Sequence, residues 1–126
     1  MLKNWQAQKE KLGIAWIGDI EIAGEAIQKA KESADIVIVS FHQWILKPTL
    51  FQKEFVKRAV EAGARGARLV VGHRPHVVQP IEKYQKAWIA FSLGNFIFDQ
   101  NFSKLAMVIY FIIKDREIKE VILRKV

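Results

Sequence analysis

The sequence predicts an α/β fold in which a parallel β-α-β unit is followed by an antiparallel C-terminal hairpin. Two apolar, β-branched runs, at residues 35–41 and 67–71, are typical of parallel strands buried on both faces. A segment with helical spacing separates them, and such crossovers are almost always right-handed. Near the C-terminus, two longer apolar runs flank Lys114-Asp115-Arg116, which indicates a hairpin.

Each element has its own signal along the chain. Asp19 is a good N-cap for a first helix, whose apolar residues share one face: Ile20, Ala23, Ala26 or Ile27, and Ala30. After the first strand, Thr49 and Gln52 form a capping box for a second helix. That helix is expected to reach Ala62, with Gly63 ending it in the left-handed conformation. Residues 87–91 predict a third strand, and residues 105–113 and 117–123 predict the hairpin.

Composition limits the classes of function. The 126 residues suit one domain over 1–126, and the absence of Cys excludes disulfides, thiolate zinc sites and a cysteine nucleophile. The net charge of +7 is spread along the chain without a basic block, which argues against a nucleic-acid partner. A positive field also suits an anionic substrate. With no apolar run of membrane-spanning length and no signal peptide, the expected location is cytoplasmic.

The three histidines are the strongest chemical signal. His42 and His73 follow the two predicted parallel strands, and His76 comes three residues after His73. Ligands of open α/β sheets bind at the carboxyl ends of the strands, and neutral imidazole is a common metal ligand. Each histidine could instead be an ordinary hydrogen-bonded loop residue. We expect His42, His73 and His76 to bind a divalent metal, either zinc alone or a two-metal hydrolase centre of Mn, Zn or Fe.

Oxygen ligands and anion-binding groups are fewer. Asp19 could lie at the same edge of the sheet or only cap its helix. Asn95 could bind a metal or a phosphate, or could be a turn residue that tolerates positive φ. Arg74 could hold a phosphate in bidentate fashion or be a surface cation. Asn95 and Arg74 are therefore the catalytic candidates.

Other catalytic patterns are missing from the sequence. Ser40 and Ser92 have no nucleophile elbow around them, and no Gly-rich phosphate loop is present. The four Trp residues suit core or interface positions better than a base-stacking platform. The richness in Lys, Glu and Ile together with the absence of Cys is typical of a thermophile.

Three segments, in this order, resemble the C-terminal half of the CapA family, the poly-gamma-glutamate capsule synthesis proteins. They are Ala34-Asp-Ile-Val-Ile-Val-Ser-Phe-His42, then Val70-Val-Gly-His-Arg-Pro-His76 with its continuation to Tyr84, and Phe91-Ser-Leu-Gly-Asn-Phe-Ile-Phe-Asp99. The resemblance extends over roughly residues 20–113. The Gly-His-x-Pro-His and Ser-Leu-Gly-Asn-Phe motifs carry most of its specificity.

The family is similar to the calcineurin-like metallophosphoesterases, which implies part of a sheet sandwich flanked by helices. The resemblance implies that His42, His73 and His76 match metal-binding or active-site histidines and that Asn95 lies in the same site. It also implies that the chain corresponds to the C-terminal half of such a domain, without the N-terminal half. Where the family usually has Trp-Gly-x-Glu after the first histidine, this chain has Gln43-Trp44-Ile45-Leu46.

Two hypotheses of function follow from the sequence. The first is a CapA-like, metal-dependent phosphoesterase linked to capsule synthesis, acting on a phosphorylated or anionic small molecule. The second is a non-catalytic, truncated domain that oligomerises or binds a partner. In both cases we expect a second copy or a partner chain to cover exposed sheet edges.

Overall fold

The computed structural model of the protein describes residues 7–12, 20–42, 57–97, 99 and 105–126. Its elements are α1 (Ile20–Ser33), β1 (Ile38–His42), β2 (Leu69–His73), β3 (Ile81–Tyr84), β4 (Ala87–Ala90), β5 (Met107–Lys114) and β6 (Glu117–Lys125). Residues 57–64 are also helical and precede β2. The predicted helix cap at Asp19 and the predicted capping box at Thr49 lie outside the described residues. Within the described ranges, no helix is long and apolar enough to cross a membrane.

The strands form two sheets. The larger sheet has the order β1-β2-β4-β3, in which β1, β2 and β4 run parallel and β3 runs antiparallel to β4. The smaller sheet is the antiparallel pair β5-β6. This arrangement confirms the predicted α/β class, with a parallel unit followed by a C-terminal hairpin.

The main hydrophobic core lies between the larger sheet and the helices. Its buried residues come from α1, the 57–64 helix, one face of the strands and the residues that flank those strands: Ile27, Val37, Phe41, Ala59, Ala62, Ala67, Val70, Ile89 and Phe91. Val39, which shares the face of Phe41 on β1, packs against this cluster. The expectation that β1 is buried on both faces is wrong. Among the described strands β1 is the outermost of this sheet, and Ile38, on its other face, is 57% exposed.

The second helix ends later than predicted. Its helical residues continue through Ala64, so Gly63 is not the stop. Instead, the amide of Gly66 donates to the carbonyl of Gly63, and the amide of Ala67 donates to the carbonyl of Ala62. This pair of bonds is the Schellman arrangement, and Gly66 adopts the required left-handed conformation with φ of 117°.

Strand β3 was not predicted. It has only four residues, and its two central ones, Glu82 and Lys83, are exposed. Its turn to β4 contains Gln85 at φ of 51°, without the Asn-Gly or Asp-Gly pair that usually marks such a turn. The strand therefore forms because it pairs with β4, not because of its own hydrophobic pattern.

The C-terminal hairpin is joined to the larger sheet near the end of β4. The amide of Met107 donates to the carbonyl of Leu93 at 2.8 Å, and Gly94 forms an isolated bridge with Ala106. At the other end of the hairpin, Asp115 and Arg116 both have positive φ, as a type I′ turn requires. The strands extend farther than predicted, to Lys114 and Lys125.

Candidate functional site

Two histidines lie side by side at the carboxyl edge of the parallel strands. His42 ends β1 and His73 ends β2, and the two residues are direct register partners. Their rings are stacked, with centroids 6.3 Å apart and an angle of 22° between the ring planes. His42 is exposed and His73 is half-buried. The parallel pairing of β1 and β2 therefore places both imidazoles on the same face of the sheet, at the edge predicted for ligand binding.

Ser40 belongs to the same group. It lies two residues before His42 and hence on the same face of β1, and its Oγ is hydrogen-bonded to Nε2 of His73 at 3.0 Å. The sequence motifs predict no role for Ser40, which lacks a nucleophile elbow. The two-residue period of a strand was the signal that could have placed it beside the histidines.

The neutral form of His73 is favoured in the folded protein. Burial of the ring lowers the pKa of His73 below its ordinary value of 6.5, and the nearby positive charge of protonated His42 lowers it further. Because the unfolded chain binds this proton more readily, the contribution of His73 to stability is complete above about pH 6.5. That contribution is lost as the pH falls from there through the lower pKa of the folded state.

The pKa of His73 can be measured from its ring-proton NMR signals. We expect a midpoint below 6.5 in the native protein. His42→Gln should raise this midpoint but leave it below the ordinary value, because burial, the larger cause, remains. Lys29→Gln, which removes an exposed cation from α1, is the control and should leave it unchanged. A His73 midpoint at or above that of an unfolded peptide would contradict this account of the site.

A second pair joins the remaining histidine to Asn95. Nδ1 of His76 and Oδ1 of Asn95 are 2.8 Å apart, and Nδ2 of Asn95 donates to the backbone carbonyl of His76 at 3.3 Å. Asn95 is only 9% exposed, so these bonds satisfy a buried amide. Arg74 and His76 both have positive φ, at 115° and 58°. Asn95 thus holds a loop whose backbone is strained at two non-glycine residues.

The two motif segments that carried the resemblance meet in the structure. Val78 bridges Leu93, and the amide of Gln79 donates to the carbonyl of Ser92. These contacts place the Gly-His-Arg-Pro-His loop against the Ser-Leu-Gly-Asn-Phe turn and explain why His76 reaches Asn95. The sequence predicts Arg74, His76 and Asn95 as site residues, and the structure brings His76 and Asn95 into contact from these two segments, with Arg74 two residues before His76.

The five predicted site residues thus form two groups, His42 with His73 and His76 with Asn95, with Arg74 in the loop between His73 and His76. Among the described ranges, no three His, Cys, Asp or Glu residues lie close enough together to hold a metal ion. Two adjacent imidazoles, one of them favoured in its neutral form, are a chemically suitable partial ligand set for zinc or iron. The ligand roles of the three histidines remain predictions, as do the catalytic roles of Arg74 and Asn95.

The comparisons with known proteins agree on one family. A family described as bacterial capsule synthesis protein PGA_cap matches residues 2–100. The chain is 38% identical over 105 residues to the PGA biosynthesis protein CapA of Bacillus subtilis, an alignment that covers 81% of this chain and 27% of that protein. It is 40% identical over 85 residues to the capsule biosynthesis protein CapA of Bacillus anthracis, covering 62% and 20%.

A more distant match is the uncharacterized protein y4sH of Sinorhizobium fredii, 32% identical over 78 residues, covering 58% of this chain and 16% of that protein. The chain therefore spans about a quarter, or less, of the length of these curated relatives. Because the family match extends over most of the chain and includes His42, His73, His76 and Asn95, the chain belongs to the bacterial capsule synthesis protein family PGA_cap.

Proposed function

We propose that this chain contributes part of a metal-dependent phosphoesterase-type site to a protein of poly-gamma-glutamate capsule synthesis. The observation that carries the proposal is the pair of stacked imidazoles, His42 and His73, at the carboxyl edge of the parallel strands. The names of the Bacillus relatives support the link to capsule synthesis. The further ligands that a complete centre needs would come from outside the described residues.

The residues of the site would have different roles. His42 and His73 would hold the metal. With Nε2–H of His73 donating to Oγ of Ser40, Nδ1 would carry the lone pair that binds it. Asn95 would orient His76 through Nδ1, the kind of support that metal-binding histidines commonly receive. Arg74 would supply positive charge for an anionic substrate. A divalent ion, when bound, lowers the pKa of a water ligand and polarises a phosphoryl oxygen.

A second function, that of a partner-binding module without catalysis, is supported by the C-terminal hairpin. Every residue of β5 and β6 is exposed or half-buried, including several large apolar side chains: Tyr110, Ile112, Ile113, Ile122 and Leu123. Such an apolar surface is typical of a protein contact. This alternative requires no metal, so metal retention separates it from the first proposal.

Metal retention tests the proposal on the full chain. The purified protein is loaded with Zn²⁺ or Mn²⁺ and desalted, and bound metal is measured per protein by elemental analysis. We expect the parent to retain metal, and His42→Ala and His73→Ala each to weaken its affinity by at least about tenfold. Circular dichroism checks that the variants remain folded.

The matched control is Glu25→Ala, which removes an exposed carboxylate from α1. It should leave retention unchanged, because the proposal places no ligand on that helix. A parent protein that retains no metal would contradict the proposal. Equal retention by the parent and both histidine variants would contradict it as well, since the metal would then be bound elsewhere.

A further inference from the structure

A separate cavity of about 180 Å³ lies between the larger sheet and the C-terminal hairpin. The residues that line it are Arg68, Lys83, Lys86, Trp88, Glu117 and Ile118. Arg68 directly precedes β2, whereas His73 ends that strand. At about 3.3 Å per residue, the two ends of β2 are roughly 13 Å apart. The cavity is thus distinct from the histidine pair, and what it binds does not depend on the proposed metal site.

Positive charge dominates the cavity. Three of its lining residues are cations and only Glu117 is an anion. In the part of the chain that the structure describes, no carboxylate forms an ion pair with Arg68, Lys83 or Lys86. Glu117 itself is bonded to Lys119, with Nζ and Oε2 2.6 Å apart. That bond is the main cause that lowers the pKa of the Glu117 carboxyl, and the charges of Lys86 and Arg68 help to lower it at longer range, but no described carboxylate is in ion-pair contact with the three cations.

One wall of the cavity is apolar and aromatic. Trp88 on β4 and Ile118 on β6 supply it from the two sheets. Lys83 is the register partner of Trp88 across β3 and β4, and its Nζ lies over the indole, 5.4 Å from the ring centroid. This cation–π contact places an ammonium group beside the aromatic surface.

We propose that this cavity binds a small organic anion in which a carboxylate or a phosphate monoester is attached to a planar or apolar group. The cations would bind the oxyanion, with the guanidinium of Arg68 suited to either acid, and Trp88 and Ile118 would contact the remainder. The volume is below the 300–1,000 Å³ of pockets for drug-sized ligands. It therefore suits a ligand about the size of a single substituted ring.

Three probes distinguish the parts of this proposal. Benzoate, phenyl phosphate and inorganic phosphate are titrated into the full chain while the indole N–H signal of Trp88, assigned by its loss in Trp88→Phe, is followed by NMR. We expect saturable shifts with benzoate or phenyl phosphate, and the tighter of the two identifies the acid. Inorganic phosphate should bind more weakly than phenyl phosphate, because it cannot contact the apolar wall.

Removing a cation and removing the carboxylate are expected to change the affinity for the anion in opposite directions. Arg68→Gln and Lys86→Gln should each weaken binding about three- to tenfold, whereas Glu117→Gln should tighten it, because the one carboxylate of the lining is removed. Lys29→Gln, which removes an exposed cation from α1, is the matched control and should have no effect. Unsaturable shifts, or equal weakening by Lys29→Gln, would overturn the proposal. Equal binding of inorganic and phenyl phosphate would overturn its apolar part.

Discussion

Replacing Gly94 with alanine is expected to destabilise the protein by about 3 kcal/mol or more. Gly94 has φ of 76°, a conformation that costs free energy for a residue with a Cβ. An added Cβ would also lie 2.3 Å from the backbone carbonyl oxygen of Leu105 and 3.1 Å from Cγ2 of Val78. The backbone cannot move away without breaking the junction between the larger sheet and the hairpin, where Leu93 accepts a bond from Met107.

The matched control is Gly66→Ala. Gly66 also has positive φ, but an added Cβ there would meet the flexible side chain of Lys31, at 2.6 Å from its Cδ. Because that side chain can move aside, we expect the free energy of unfolding to fall by only about 1–2 kcal/mol. Urea unfolding of both variants measures the difference. If both variants lose the same free energy of unfolding, the close contact between the added Cβ and the Leu105 carbonyl adds no cost beyond that of the positive φ.

The second large effect is expected for Ile89→Ala, which should lower the free energy of unfolding by about 2–5 kcal/mol. Ile89 is 2% exposed at the centre of the core and is the register partner of Val70, which is completely buried. Truncation would remove buried methyl groups and leave a cavity between the sheet and the helices, because packed cores relax only in part.

Ile38→Ala is the matched control, because Ile38 is the same residue type in the same sheet but is 57% exposed. Ile38→Ala should lower the free energy of unfolding by less than about 1 kcal/mol. Urea unfolding measures both free-energy changes: each follows from the shift in the unfolding midpoint when the denaturant slope is unchanged. Similar losses at the two positions would contradict the assignment of the core to the helix-covered face of the sheet.

Local patterns in the sequence were sufficient for the parallel unit and the hairpin, because those strands are long or strongly apolar. They were insufficient for β3, whose four residues form a strand only by pairing with β4. The stop of the second helix was placed at Gly63 instead of Gly66, because both glycines are suitable stops. Only the hydrogen bonds of Gly66 and Ala67 decide between them.

The same distinction holds for the candidate site. Parallel strand ends predicted that His42 and His73 would be neighbours, since register partners share an edge. The contact between His76 and Asn95 depends on a segment that folds back through β3 and β4, so only family resemblance pointed to it. The cationic cavity was not predicted at all, because Arg68, Lys83 and Glu117 are far apart in sequence and meet only through the two sheets.

The most direct measurement of the central claim is a Zn²⁺ titration of the full chain with ¹⁵N-labelled histidine, followed through the ring-nitrogen NMR signals. If His42 and His73 form a metal-binding pair, their ring nitrogens shift together and stop shifting once the site is filled, and His73 responds at Nδ1, opposite the nitrogen bonded to Ser40. If the signals of both residues remain unchanged while zinc is added in excess, the stacked imidazoles do not bind metal and the proposed phosphoesterase site is wrong.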